Sequence, residues 1–145
     1  MKKLLLLAIA LIIIAGGVYF LAPKHIVTNT QPTTATETTV ATSSLLEGTW
    51  QSTEDSKFTR EFKADGSFTD SYAGDASAAT VGTWNLFTSG NPDPGLHDAL
   101  EPGATYLKMT DPNEVLFFSL LHIDDSDLQL SYLDRGNTLE FRRIK

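Results

Sequence analysis

From Leu45 onward the chain is cut into short runs rich in aromatic and β-branched residues, each closed by a turn signal. None of these runs carries the three-to-four-residue apolar spacing of an amphipathic helix. Eight can be read, over 48–53, 57–63, 67–72, 81–87, 104–110, 114–121, 127–133 and 138–143. Asp65 and Gly66 stand between "FTREF" and "SFTDSY", where Asp-Gly supplies the positive φ angles of a tight hairpin turn. Pro112 in "MTDPNEV" and the polar segments "IDDSD" and "LDRGNT" mark further reversals. Breaks this short make sequential neighbours pair as antiparallel hairpins. The pattern predicts an all-β fold, an eight-stranded antiparallel up-and-down barrel.

One break is different. Residues 88–103, "TSGNPDPGLHDALEPG", hold three prolines and three glycines and are too long and irregular for a hairpin turn. They read as a surface loop, either a cap over a binding mouth or a tolerated insertion.

The first 44 residues have another character. Residues 4–22, "LLLLAIALIIIAGGVYFLA", carry no charge and follow Lys2 and Lys3. As a helix they would rise about 28 Å, close to the ~30 Å hydrocarbon thickness of a bilayer. The basic start should stay in the cytoplasm, placing the rest of the chain outside. Residues 1–22 are therefore expected to be a signal anchor, a single-pass transmembrane helix. The alternative is a cleaved signal peptide using the small residues Ala15 and Gly17, which would leave the domain secreted. Residues 23–44, Thr-rich with Pro23 and Pro32, contain too little bulky apolar surface to offset their ordering entropy. They are expected to form a disordered linker ahead of a domain over 45–145.

With no cysteine in the chain there is neither a lipobox nor a disulfide, so the core must suffice unaided. Beyond residue 44, 8 lysines and arginines face 17 aspartates and glutamates, a net charge of −9. Direct binding to nucleic acid is disfavoured at such a balance.

"GTW" occurs at residues 48–50 and again at 82–84, but no third copy follows and the intervening residues do not match. A solenoid array is rejected. Each glycine lets the backbone bend where a strand begins, and each tryptophan brings a large face to bury with one N–H that needs a partner. "LEGTW" at the start of the first run resembles the Gly-x-Trp signature of the lipocalin and fatty-acid-binding (calycin) superfamily. "EFKADGSFTD" and "YLDRGNTLEFRR" are similar to small bacterial lipocalin-like domains. The resemblance implies that Gly48 and Trp50 form a structural signature and that Trp50 closes one end of a barrel against a basic residue of the last strand. Arg143, which shares a strand face with Leu139 and Phe141, is the first choice for that partner, and Arg142 is the alternative.

The most apolar run, "EVLFFSLLHI", sets Leu116, Phe118 and Leu120 on one face and Val115, Phe117 and Leu121 on the other. Phe58, Phe62, Phe68, Tyr72, Trp84, Tyr106 and Phe118 are the candidates for lining a cavity; alternatively they fill the core of a small barrel. His122, Asp124, Asp125 and Asp127 hold oxygen ligands close together but lack the spacing and glycine of a calcium loop, so a solvated turn and no bound metal are expected. His97 and Asp98 make up no complete catalytic set, since no nucleophile elbow or third orienting group accompanies them. No enzymatic activity and no cofactor are expected. The function expected is that of a membrane-tethered, extracytoplasmic, lipocalin-like domain binding a small apolar or amphipathic ligand. The alternative is a filled barrel acting through its surface as a non-catalytic envelope interaction or structural module, its protein partner unknown.

Overall fold

The computed structural model describes residues 34–144, with side chains from residue 39 onward. The apolar segment 4–22 expected to span a membrane lies outside the described residues, as does the first half of the expected linker. Among the described residues, no helix is long and apolar enough to cross a membrane.

A helix, α1 (Thr34–Leu46), is followed by eight strands: β1 (Gly48–Ser52), β2 (Phe58–Phe62), β3 (Ser67–Tyr72), β4 (Asp75–Thr88), β5 (Thr105–Thr110), β6 (Val115–Ile123), β7 (Asp127–Tyr132) and β8 (Thr138–Arg143). They form a closed antiparallel barrel in sequence order, and β8 returns to pair with β1 through Trp50↔Arg143 and Ser52↔Phe141. Closure leaves the sheet without free edges along its paired length. The hairpin turn read at Asp65-Gly66 is present: Gly66 has φ 80°, and Asp65 accepts hydrogen bonds from the Ser67 backbone N–H and hydroxyl.

Alternation along each strand sends one set of side chains inward. Register pairs Phe62 with Phe68, Trp84 with Met109, Leu107 with Phe118, and Leu128 with Phe141. All eight belong to one continuous buried core. Phe62 and Trp84 meet edge to face at 5.5 Å between centroids. Burying a side chain of this kind stabilises the fold by about 1.5–3 kcal/mol relative to exposure.

Three expectations are corrected. Residues 34–44, read from composition as part of a disordered linker, are helical up to Leu46 because their C-terminal end is held by the barrel. Leu46 is fully buried in the core, the Trp50 indole N–H donates to the Leu46 carbonyl at 2.8 Å, and Arg143 donates to the carbonyls of Leu45 and Glu47. These are the acceptors a helix end leaves unmatched, and a cation at that end also complements the helix dipole. The fourth strand begins at Asp75 rather than at 81, with a register shift against β3 between Asp70 and Tyr72. Gly82 therefore lies inside a strand rather than at its start, and a Cβ there would collide with the Thr110 carbonyl and come within 2.5 Å of the Phe68 ring.

The third correction concerns Tyr106. It does not join the interior, because Leu107 and Met109 take the inward positions of β5. Tyr106 stacks on Phe87 at 5.4 Å in a separate cluster with Phe117, on the outer face of β4, β5 and β6. Leu96 and Leu100 from the long loop pack on this cluster. That loop thus covers an outer face of the barrel wall.

Candidate functional site

The end of the barrel that receives α1 is sealed. Gly48 opens β1 with φ 129°, a conformation that side-chain-bearing residues avoid, and this bend carries the chain from the helix into the barrel wall. Trp50 is fully buried behind Leu46, and the Arg143 guanidinium lies 4.1 Å from the centre of its ring. Of the two basic residues considered for this contact, the structure places Arg143 there, while Arg142 is exposed and lies 3.8 Å from Asp127.

The opposite end is less covered. Phe58, Leu116, Tyr132 and Leu139, all inward by register, stand at the strand ends there and are only half buried, and Tyr72 is 37% exposed. The loop between β1 and β2 is drawn over this end by the Tyr72 hydroxyl, which donates to Asp55 at 2.9 Å. Asp55 is held below the usual carboxylate range by the Lys57 backbone N–H and then by that hydroxyl, and the same bond raises the pKa of Tyr72.

Beneath this mouth lies a charged pair. Arg60 and Asp70 face each other across β2 and β3 and point inward, as do their neighbours Phe58, Phe62, Phe68 and Tyr72. Arg60 is 5% exposed and binds Asp70 through two parallel bonds, Nε to Oδ1 at 2.7 Å and Nη2 to Oδ2 at 2.6 Å. Phe58, Phe68 and Phe141 stand 5.6, 5.8 and 5.8 Å from its guanidinium carbon. Nη1 is buried without a hydrogen-bond partner. A buried charged donor left unmatched is costly, and among the described residues it is the only buried side-chain nitrogen or oxygen so placed.

Of the proposed lining residues, Phe62, Phe68, Trp84 and Phe118 are buried in the core, Phe58 packs half buried against it, Tyr72 stands at the mouth and Tyr106 is outside. The Arg60–Asp70 pair was not anticipated. Its signal is present in the sequence: alternation in "FTREF" and "SFTDSY" aligns Arg60 with Phe58 and Phe62, and Asp70 with Phe68 and Tyr72, across the Asp65-Gly66 turn.

A groove of about 290 Å³ lies on the outer wall between Asp98, Glu101, Tyr106, Leu121 and Leu133. His97 and Asp98 are exposed in the loop beside it. In the turn after β6, Asp124 accepts the backbone N–H groups of Ser126 and Asp127 and lies 3.1 Å from His122. Those bonds, the one from Ser126 foremost, hold its carboxyl below the usual range. Among the described residues no group of three or more potential metal ligands occurs. Compared with known protein families, with curated proteins and with solved structures, the chain matches none.

Proposed function

We propose that this chain is a membrane-tethered, extracytoplasmic, lipocalin-like domain that binds a small apolar or amphipathic ligand inside its barrel. The observation that carries the reading is the asymmetry of the two ends. One is sealed by Leu46, Trp50 and Arg143, while the other leaves inward-facing Phe58, Tyr72 and Tyr132 within reach from outside. Gly48, Trp50 and Arg143, set together where the helix meets the first and last strands, support the lipocalin-like assignment. The tether and the position outside the cytoplasm rest on the apolar segment 4–22 behind Lys2 and Lys3.

A second reading, a filled barrel acting through its surface, is favoured by the complete burial of Leu107, Leu128 and Leu130 and by the outer groove beside Asp98 and Glu101. Native mass spectrometry of the full-length chain separates the two readings. The protein is measured before and after solvent extraction, then after exposure to a mixed lipid extract. Ligand binding predicts an extra mass saturating at one per chain, whereas a chain that stays bare while folded overturns it in favour of the surface module.

A further inference from the structure

Standing apart from whatever the barrel interior holds, we propose that the groove on the outer wall docks a partner protein through a segment in which an apolar side chain is flanked by lysine or arginine. The groove arises from side-chain size. Ser119 and Ser131 face each other across β6 and β7 on the outer surface, in the row that continues to Tyr106 on β5. Leu121 and Leu133, two positions further along each chain, stand on opposite sides of this row, so the paired serines leave a trench between larger neighbours. Leu121 is the extra residue at the register shift between Leu120 and His122, and it stands out from the wall at 55% exposure. The long loop supplies the remaining wall with Asp98 and Glu101, and the space between them is about 290 Å³. That wall is in place before any partner arrives. The Glu101 backbone N–H donates to the Tyr106 hydroxyl at 2.8 Å, and Leu100 packs on the outer aromatic cluster, so docking does not have to order the loop.

Charge and shape then select the occupant. No lysine or arginine lines the groove, and among the described residues neither Asp98 nor Glu101 has an ion-pair partner. Both side chains are exposed at the lip, on a domain whose net charge beyond residue 44 is −9. A cation brought there meets two carboxylates that no other charge has neutralised, whereas an anion is repelled. Tyr106, Leu121 and Leu133 offer the apolar surface on which a leucine-sized side chain rests. The volume lies at the lower end of small-molecule sites, which run from roughly 300 to 1,000 Å³ and enclose most of their ligand. This groove is open to the outside along the barrel wall, and a small occupant would leave Leu121 in water. A segment carried by a folded partner covers that leucine as it docks and places its basic residues at the polar rim.

The test follows amide NMR spectra of the full-length chain in phosphatidylcholine nanodiscs during titration at neutral pH with acetyl-Lys-Leu-Lys-amide, with acetyl-Glu-Leu-Glu-amide and with hexylamine. The basic peptide is expected to shift residues 98–101 together with Ser119, Leu121, Ser131 and Leu133, and to bind about tenfold or more tightly than the acidic peptide. The double variant Asp98→Asn with Glu101→Gln, which alters two exposed loop side chains, should bind the basic peptide about fivefold more weakly. Ser131→Leu fills the trench from the outer face and should remove the shifts while the rest of the barrel spectrum stays as it was. Absence of shifts, shifts centred elsewhere, equal binding of the two peptides, or an unaltered affinity in either variant overturns the inference. Hexylamine binding as tightly as the basic peptide also overturns it, by making the occupant a small organic cation. None of these results touches the interior of the barrel, so the ligand-binding reading stands or falls separately by mass spectrometry.

Discussion

Arg143 joins three parts of the molecule through one side chain. It covers the Trp50 ring, donates to the carbonyls of Leu45 in the last turn of α1 and of Glu47 just after it, and reaches the Asp125 carbonyl in the turn after β6 at 2.9 Å. A leucine at this position would keep some of the packing and supply none of the donors. Arg143→Leu is expected to lower the unfolding free energy by about 2–3 kcal/mol, the scale of lost hydrogen bonds from a charged donor. Amide exchange over residues 43–47 should rise more than exchange in β5 and β6, and a uniform rise would contradict the placement. Arg60 is likewise placed by its neighbours. An arginine between two phenylalanines on one strand face has nowhere to go but inward, and its partner is then fixed by the hairpin register that sets Asp70 opposite.

Among the elements, α1 and the long loop show how the barrel orders chain that composition leaves undecided. Helix α1 is built from residues of modest helix propensity, and the contacts of its last turn offset that weakness. The loop is pinned by Leu96 and Leu100 on the outer aromatic cluster and by an ion pair, Lys108 Nζ to Asp93 Oδ2 at 2.9 Å, with the Asp93 side chain 11% exposed. The hydrogen bond from Lys108 is the largest cause holding the Asp93 carboxyl below its ordinary value of 3.8. A depressed folded-state pKa means that the pair stabilises the loop fully above the ordinary value, and that this contribution fades as pH falls through the folded one. Lowering the pH from 6 to about 3 should therefore reduce the protection of the amides of residues 88–103, taken as the intrinsic exchange rate at each pH divided by the observed one. Asp93→Asn should give faster exchange already at pH 6 and a flatter pH response, and an unaltered response would show that the apolar contacts alone hold the loop.

At the scale of the barrel, every hairpin pairs neighbours in sequence except the seam between β1 and β8, where the ends of the domain meet. Loss of that seam exposes the interior along its whole length. Removing residues 141–145 takes away Phe141, which pairs with Leu128 and lies 6.2 Å from Phe58, together with Arg143. The shortened chain is expected to unfold as a whole, with Trp50 and Trp84 both solvent-exposed in fluorescence, instead of surviving as a seven-stranded sheet. Retention of a buried Trp84 signal would show that β2–β7 fold independently of the closure.

Much of this was legible in the chain itself. Period-two alternation and short polar breaks fix strand number and antiparallel order locally, because each hairpin is specified by its own turn residues and its own two faces. The Asp65-Gly66 turn, the inward Phe62, Phe68 and Phe118, and the meander order all follow from such neighbour relations. Tertiary structure alone decided the rest: the helix at 34–46, the loop's place on the barrel wall, and the carbonyls that Arg143 meets beside Trp50. These depend on partners far away in sequence, as Arg143 is from Leu45 and Lys108 is from Asp93, and their outcome is set by which groups closure brings together. Local pattern determines which face a side chain takes within its strand; only the closed barrel supplies the acceptor, ring or wall that meets it.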